Sequence, residues 1–224
     1  MALSRHTRWK AGAPVAVLLA ALTLSGRQSA YYDVMEQAGV HKRDILSDRV
    51  IAARDAQQKA DEQFSSALER YQSVVTVPES RLLHAYSDLE SDYERSQAAA
   101  ERVSQRIDAI ESVAQALFNE WEGELDQYQN QAYRRQSERE LEQTRQRYGE
   151  MLDAMHRAED TMPPVLTAMH DNVLFLKHNL NARAIGALKG EVSQLETQIA
   201  TLRREMQASI ERSNRFIDGM APAN

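Results

Sequence analysis

The side chains able to do chemistry in this chain are few, and their spacing works against it. Six histidines, His6, His41, His84, His156, His170 and His178, titrate near neutrality. No two stand four residues apart, the spacing that sets a pair of imidazoles on one helical face over a metal ion. His170 and His178 are two helical turns apart, too far to share an ion without other ligands. Glu120, Glu122, Glu124 and Asp126 crowd Trp121 in "FNEWEGELDQY". On a helix those alternate positions fan outward rather than converge, so the stretch reads as a solvated helix end with Trp121 in the core. There is no cysteine, hence no disulfide, no thiolate zinc site and no thiol nucleophile. Neither a glycine-rich phosphate loop nor a nucleophile elbow occurs. No catalytic, cofactor-binding or metal residue is assigned, no small-molecule substrate is evident, and the chain is expected not to be an enzyme.

Two stretches remain as candidates for recognition. In "VLFLKHNLNARAIGALKGEV", residues 173–192, Lys177, Arg183 and Lys189 make a locally basic patch, with His178, Asn179 and Asn181 among them. Gly186 and Gly190 share one helix face and would let a neighbour approach closely. Lys177, His178, Asn179, Asn181, Arg183, Gly186 and Gly190 therefore form a candidate docking surface for a partner or an anion; the competing reading is a tight helix crossing with a solvated basic flank. In "AYRRQSERELEQTRQR", Arg135 with Glu138 and Arg139 with Glu142 stand three apart, which predicts charge lacing of an exposed helix. An anion site at Arg134 and Arg135 is the sharper alternative.

The elements that would carry these residues are long helices. From Leu46 an apolar stripe runs through Val50, Ala53, Gln57, Ala60, Phe64, Ala67, Tyr71 and Val74 in steps of four and three, the 3.5-residue repeat of left-handed helix packing. It predicts a helix from near Tyr32 to near Val75. Pro78 is placed to open a second helix, whose stripe runs from Leu82 through Leu89, Val103, Ile110 and Leu117 to Trp121 and resumes at Leu141, Tyr148, Leu152 and Met155. No Gly or Pro lies between Gly123 and Gly149, which favours one unbroken helix to about Asp160. A break near 129–137, with Ser137 and Glu140 as a capping box, is the alternative. Thr161-Met162-Pro163-Pro164 can open a last helix, Thr161 as its cap. That helix is read as continuing through a five-residue slip between Leu180 and Ile185 to Gly219, with Glu211 and Arg215 as an i,i+4 pair on its exposed face. Nothing reads as a strand. The fold class is all-α, a long antiparallel helical coiled coil of three helices, or of four if the middle helix breaks.

The first thirty residues differ in kind. "MALSRHTRWK" is basic and "AGAPVAVLLAALTL" apolar, an export signal in pattern and too short to span a membrane comfortably. Leu24-Ser25-Gly26 matches the residues before the lipidated cysteine of a bacterial lipoprotein, but Arg27 holds the cysteine position, and a guanidinium cannot form the thioether. Residues 1–30 are thus an export signal, lipoprotein-like but lacking the Cys, and 31–224 a single elongated domain. Residues 1–30 carry four basic residues and no acid, so the other 23 basic and all 33 acidic residues lie in the body, a net charge of −10. That balance argues against nucleic-acid phosphates and weakens attraction to anionic lipid.

The strings "SAYYDVMEQAGVHKRDILSDRVIAARDAQ", "RIDAIESVAQALFNEWEGELDQY" and "VLFLKHNLNARAIGALKGEV" resemble the bacterial domain-of-unknown-function family 2959. The resemblance covers nearly the whole chain after the signal. It implies a mostly helical Gram-negative envelope protein, exported and often lipid-anchored, with no catalytic residues to carry over. The departure at Arg27 counts against the lipid anchor that the resemblance implies, while an uncleaved signal would leave an N-terminal anchor. The expectation is a non-enzymatic helical scaffold or spacer at the periplasm or the periplasmic face of a membrane, without cofactors, with a protein partner or self-association. The alternative is a membrane-binding or membrane-remodelling three-helix module, motivated by basic flanks at 177–189 and 203–215.

Overall fold

The computed structural model describes residues 41–76, 78–179 and 182–220. The protein is all-α, and no strand occurs among the described residues. Helix α1 spans Lys42–Val74, a 3-10 turn Glu79–Arg81, α2 Leu82–Leu125, α3 Gln131–Asp160, α4 Met162–His178 and α5 Ala182–Met220.

Helix α1 holds neither Gly nor Pro over its 33 residues, and all nine stripe positions from Leu46 to Val74 are buried, Gln57 included. Outside the stripe it is mostly polar, Ile45, Ile51 and Leu68 being the large exceptions, so its stability comes mainly from burying that seam. Each large side chain there contributes roughly 1.5–3 kcal/mol. After Val74 the Thr76 amide and hydroxyl both donate to the Ser73 carbonyl, at 3.1 and 2.7 Å. The Arg81 amide then donates to the Pro78 carbonyl at 2.9 Å, forming the 3-10 turn that feeds α2.

The favoured unbroken middle helix is not what forms. Helix α2 stops at Leu125 and α3 begins at Gln131, a few residues earlier than the alternative placed the break. The Gln127 amide donates to the Glu124 carbonyl at 3.0 Å. Asn130 then turns extended, and its side-chain oxygen accepts from the amides of Ala132, at 2.8 Å, and Tyr133, at 3.4 Å. Asn130 caps the new helix. Ser137, the expected cap, lies inside it and accepts from the Trp121 indole nitrogen at 2.8 Å.

Helices α3 and α4 are separated by Thr161 alone. Its hydroxyl donates back to the Ala158 carbonyl at 2.6 Å rather than capping forward, while the prolines occupy the first turn of α4, where a missing amide proton costs nothing. The last helix is also divided. Helix α4 ends at His178, where the Asn179 amide donates to the Leu176 carbonyl at 3.1 Å and its side-chain amide to the Phe175 carbonyl at 2.9 Å. The next helix begins at Ala182, so the last helix read from the sequence is two helices; Leu180, where the five-residue step starts, lies outside the described residues.

The helices assemble as four arms, the third made of α3 followed by α4. Helix α1 packs on α2 and α5, α2 on α3 and α4, and α5 on α3 and α4. Cross-contacts give the directions. Lys42 meets Glu120 and Arg70 meets Asp92, so α1 and α2 are antiparallel. Arg54 meets Asn214 and Asp61 meets Arg203, so α1 and α5 are too. Trp121 meets Ser137 and Glu111 meets His156, which sets α3 antiparallel to α2. The core is mainly aliphatic, with Phe64, Tyr71 and a methionine group of Met151, Met155, Met162 and Met169 fully buried. Polar groups cross it as well: the Ser209 hydroxyl donates to Gln57 Oε1 at 2.9 Å, while within α5 Ser213 donates to the Ser209 carbonyl at 2.9 Å.

Candidate functional site

Arg27 and Asn181 lie outside the described residues, and so does the side chain of Arg183. Lys177 and His178 are exposed on the last turn of α4, and Asn179 is occupied in closing that helix. Gly186 and Gly190 are exposed as well. No atom of another described element lies within 4 Å of the place a Cβ would take at either, so no described helix crosses closely there. The two glycines face open space, and the groove between α4 and α5 is lined instead by Asp171, Asn172, Phe175, Ala187, Leu188 and Glu191.

The acidic run around Trp121 is divided among separate cations. Glu120 takes Lys42 at 2.9 Å, Glu122 takes Arg145 at 2.5 Å and Asp126 takes Arg134 at 3.2 Å. No cluster of metal-ligating side chains occurs among the described residues. The hydrogen bond from Arg145 holds the Glu122 carboxyl below the usual carboxylate range. Arg145 also lies 5.2 Å from the Phe118 ring centroid, a cation–π distance. Phe118, Tyr148 and Phe216 then form a tilted ring series across α2, α3 and α5, with centroids 5.4 and 6.3 Å apart. Burial, with the Glu111 charge adding to it, pushes the Tyr148 hydroxyl up to about 12. The expected pairs of Arg135 with Glu138 and Arg139 with Glu142 are absent among the described residues; Glu138 pairs with Arg134 at 3.0 Å.

Three further groups escaped the sequence reading because their partners are distant in the chain. Asp92, on α2, is fully buried and carries two arginines: Arg95 hydrogen-bonds Oδ1, and Arg70 Nε of α1 lies 2.5 Å from Oδ2, outside hydrogen-bond alignment. Beside it the Tyr71 hydroxyl donates to the Met169 carbonyl at 2.9 Å, and burial, then the Asp92 charge, raise its pKa. His156 faces two carboxylates, Glu111 Oε1 at 2.9 Å from Nε2 and Glu159 Oε2 at 3.1 Å from Nδ1. Both nitrogens can donate only in the imidazolium. Burial pulls its pKa down, but the hydrogen bonds to Glu111 and Glu159 outweigh it and the net shift is upward.

The third group is a cleft of about 140 Å³ between α3 and α5, lined by Arg147, Arg212, Arg215, Glu150, Met151 and Phe216. The expected Glu211–Arg215 pair does not form; Glu211 accepts from the Gln207 amide at 3.4 Å, and Arg215 turns to the cleft.

These arrangements are structural pairs and one basic cleft on a four-armed helical bundle, the class of protein that the fold defines. Comparison with curated proteins gives no match. The chain belongs to the family described as protein of unknown function DUF2959, whose model matches residues 31–220. No described helix is long and apolar enough to cross a membrane.

Proposed function

We propose that this protein is a non-enzymatic structural and interaction protein of the bacterial cell envelope, an exported helical spacer whose partner is another protein or a second copy of itself. The observation that carries the reading is the commitment of its polar groups. The buried Gln57, Asp92, Ser137 and Ser209 and most of the inter-helix charges are engaged in holding one arm to another, as in a body built for length. Helix α2 alone, at 44 residues, extends about 66 Å. The 3.5-residue spacing of the buried seam supports left-handed coiled-coil packing between the arms. Export rests on the basic and apolar residues of 1–24. A fusion of residues 1–40 to a reporter that works only in the periplasm is expected to be active in Gram-negative cells. An inactive, intact fusion would remove the envelope assignment.

A further inference from the structure

The cleft between α3 and α5 has a charge that bundle packing does not explain. Most of the other inter-helix arginines are matched to an acceptor: Arg203 to Asp61, Arg70 to Asp92, Arg145 to Glu122. Arg147, Arg212 and Arg215 converge on one cleft and, among the described residues, have no carboxylate within ion-pair reach. This occurs in a body whose net charge is −10. Three guanidiniums share the cleft with the one carboxylate of Glu150, so its field is positive, and a low-dielectric concave wall concentrates such a field.

The cleft also has a built shape. Its floor is Phe216, which is 2% exposed, and Met151, which is 1% exposed. The Arg147 guanidinium packs against α5 at Gly219, its Nη1 only 3.2 Å from where a Cβ would sit. A side chain there would crowd the guanidinium by a few tenths of an ångström, so the glycine eases its close approach. Arg147 Nη2 also reaches Thr144 Oγ1 at 3.4 Å. The volume equals that of about four or five waters, room for one phosphoryl group. Guanidinium forks match the paired oxygens of such a group, where a carboxylate-free cluster of lysines would offer only point charges.

We propose that Arg147, Arg212 and Arg215 form a binding site for a phosphate-type oxyanion, either free phosphate or the phosphodiester of an anionic lipid headgroup. The site is independent of the scaffold reading and stands if export fails. The test uses the full chain and two probes: inorganic phosphate by calorimetry against chloride at matched ionic strength, and sedimentation with phosphatidylglycerol or phosphatidylcholine vesicles at low salt. The variant is Arg212→Gln with Arg215→Gln, both surface residues, its fold verified by circular dichroism. The expected result is a loss of about tenfold or more in the affinity for phosphate, for phosphatidylglycerol, or both, with phosphatidylcholine binding unchanged. Phosphate binding that weakens assigns the free anion; weakening with phosphatidylglycerol alone assigns the headgroup. Binding of neither probe, or the same affinity in the variant, overturns the site.

Discussion

Helix α2 takes part in two seams that are held by different means. Toward α1 it meets an apolar stripe interrupted only by Gln57, and the fully buried charge there, Asp92, is 0% exposed and answered by Arg70 and Arg95. Toward α3 it meets a helix whose buried positions thin out, with Ser137, Leu141 and Thr144 before Met151. The charges on that seam, Glu122 with Arg145 and Glu111 with His156, stay in reach of water. A buried carboxylate is costly unless its partners are in place, whereas exposed pairs add little. The first seam is therefore all-or-none and the second graded.

The sharpest way to break this contrast is to strand the buried charge. Arg70→Ala with Arg95→Ala is expected to cost about 3 kcal/mol or more, read as a lower denaturant midpoint. Adding Asp92→Leu is expected to return most of that loss, because it removes the buried carboxylate that the double substitution leaves without a partner. If the double substitution is near neutral, the carboxylate is hydrated and the two seams are alike. A second measurement needs no substitution. Amide exchange in Gln131–Leu141 is expected to be at least about tenfold faster than in Val50–Phe64, since few apolar contacts hold the start of α3. Equal protection would show that the aromatic series Phe118–Tyr148–Phe216 fixes α3 as firmly as the stripe fixes α1.

The smallest effect lies at His156. Its folded pKa is raised, so its contribution is full below the unfolded value near 6.5 and fades as pH rises through the folded value. His156→Gln is thus expected to destabilise the protein at pH 6 and to do so less at pH 8.5. Its side chain is 42% exposed, so the difference is held to less than about 1 kcal/mol. The reverse pH trend would mean that the imidazole is neutral between the two glutamates.

What could be read from the sequence follows the same division. The α1 stripe was legible to the residue because steps of four and three kept up over nine positions fix which face of the helix is buried, and the all-α class followed from it. The break at 126–130 was not, because neither Gly nor Pro marks it; one side chain, Asn130, ends the ambiguity by capping. The division between α4 and α5 looked like a slip because a five-residue step fits both. The glycines Gly186 and Gly190 suggested a close crossing, yet no other described helix is there. The basic cleft was invisible for a different reason: Arg147 and Arg212 are 65 residues apart, and only the return of α5 along α3 joins them. Local spacing instead pointed Arg215 toward Glu211.

The hydrogen bond between Gln57 and Ser209 has a consequence for alignment. An apolar seam repeating every seven residues looks nearly the same to a partner moved by one repeat, so α1 could in principle settle one step along α5. Such a step shifts the helices by about 10 Å. It would leave Gln57, whose amide nitrogen already lacks a hydrogen-bond partner among the described residues, with its oxygen bare as well, a cost of about 1–3 kcal/mol. A single glutamine thus works as an index notch, telling an otherwise periodic zipper which tooth is the first.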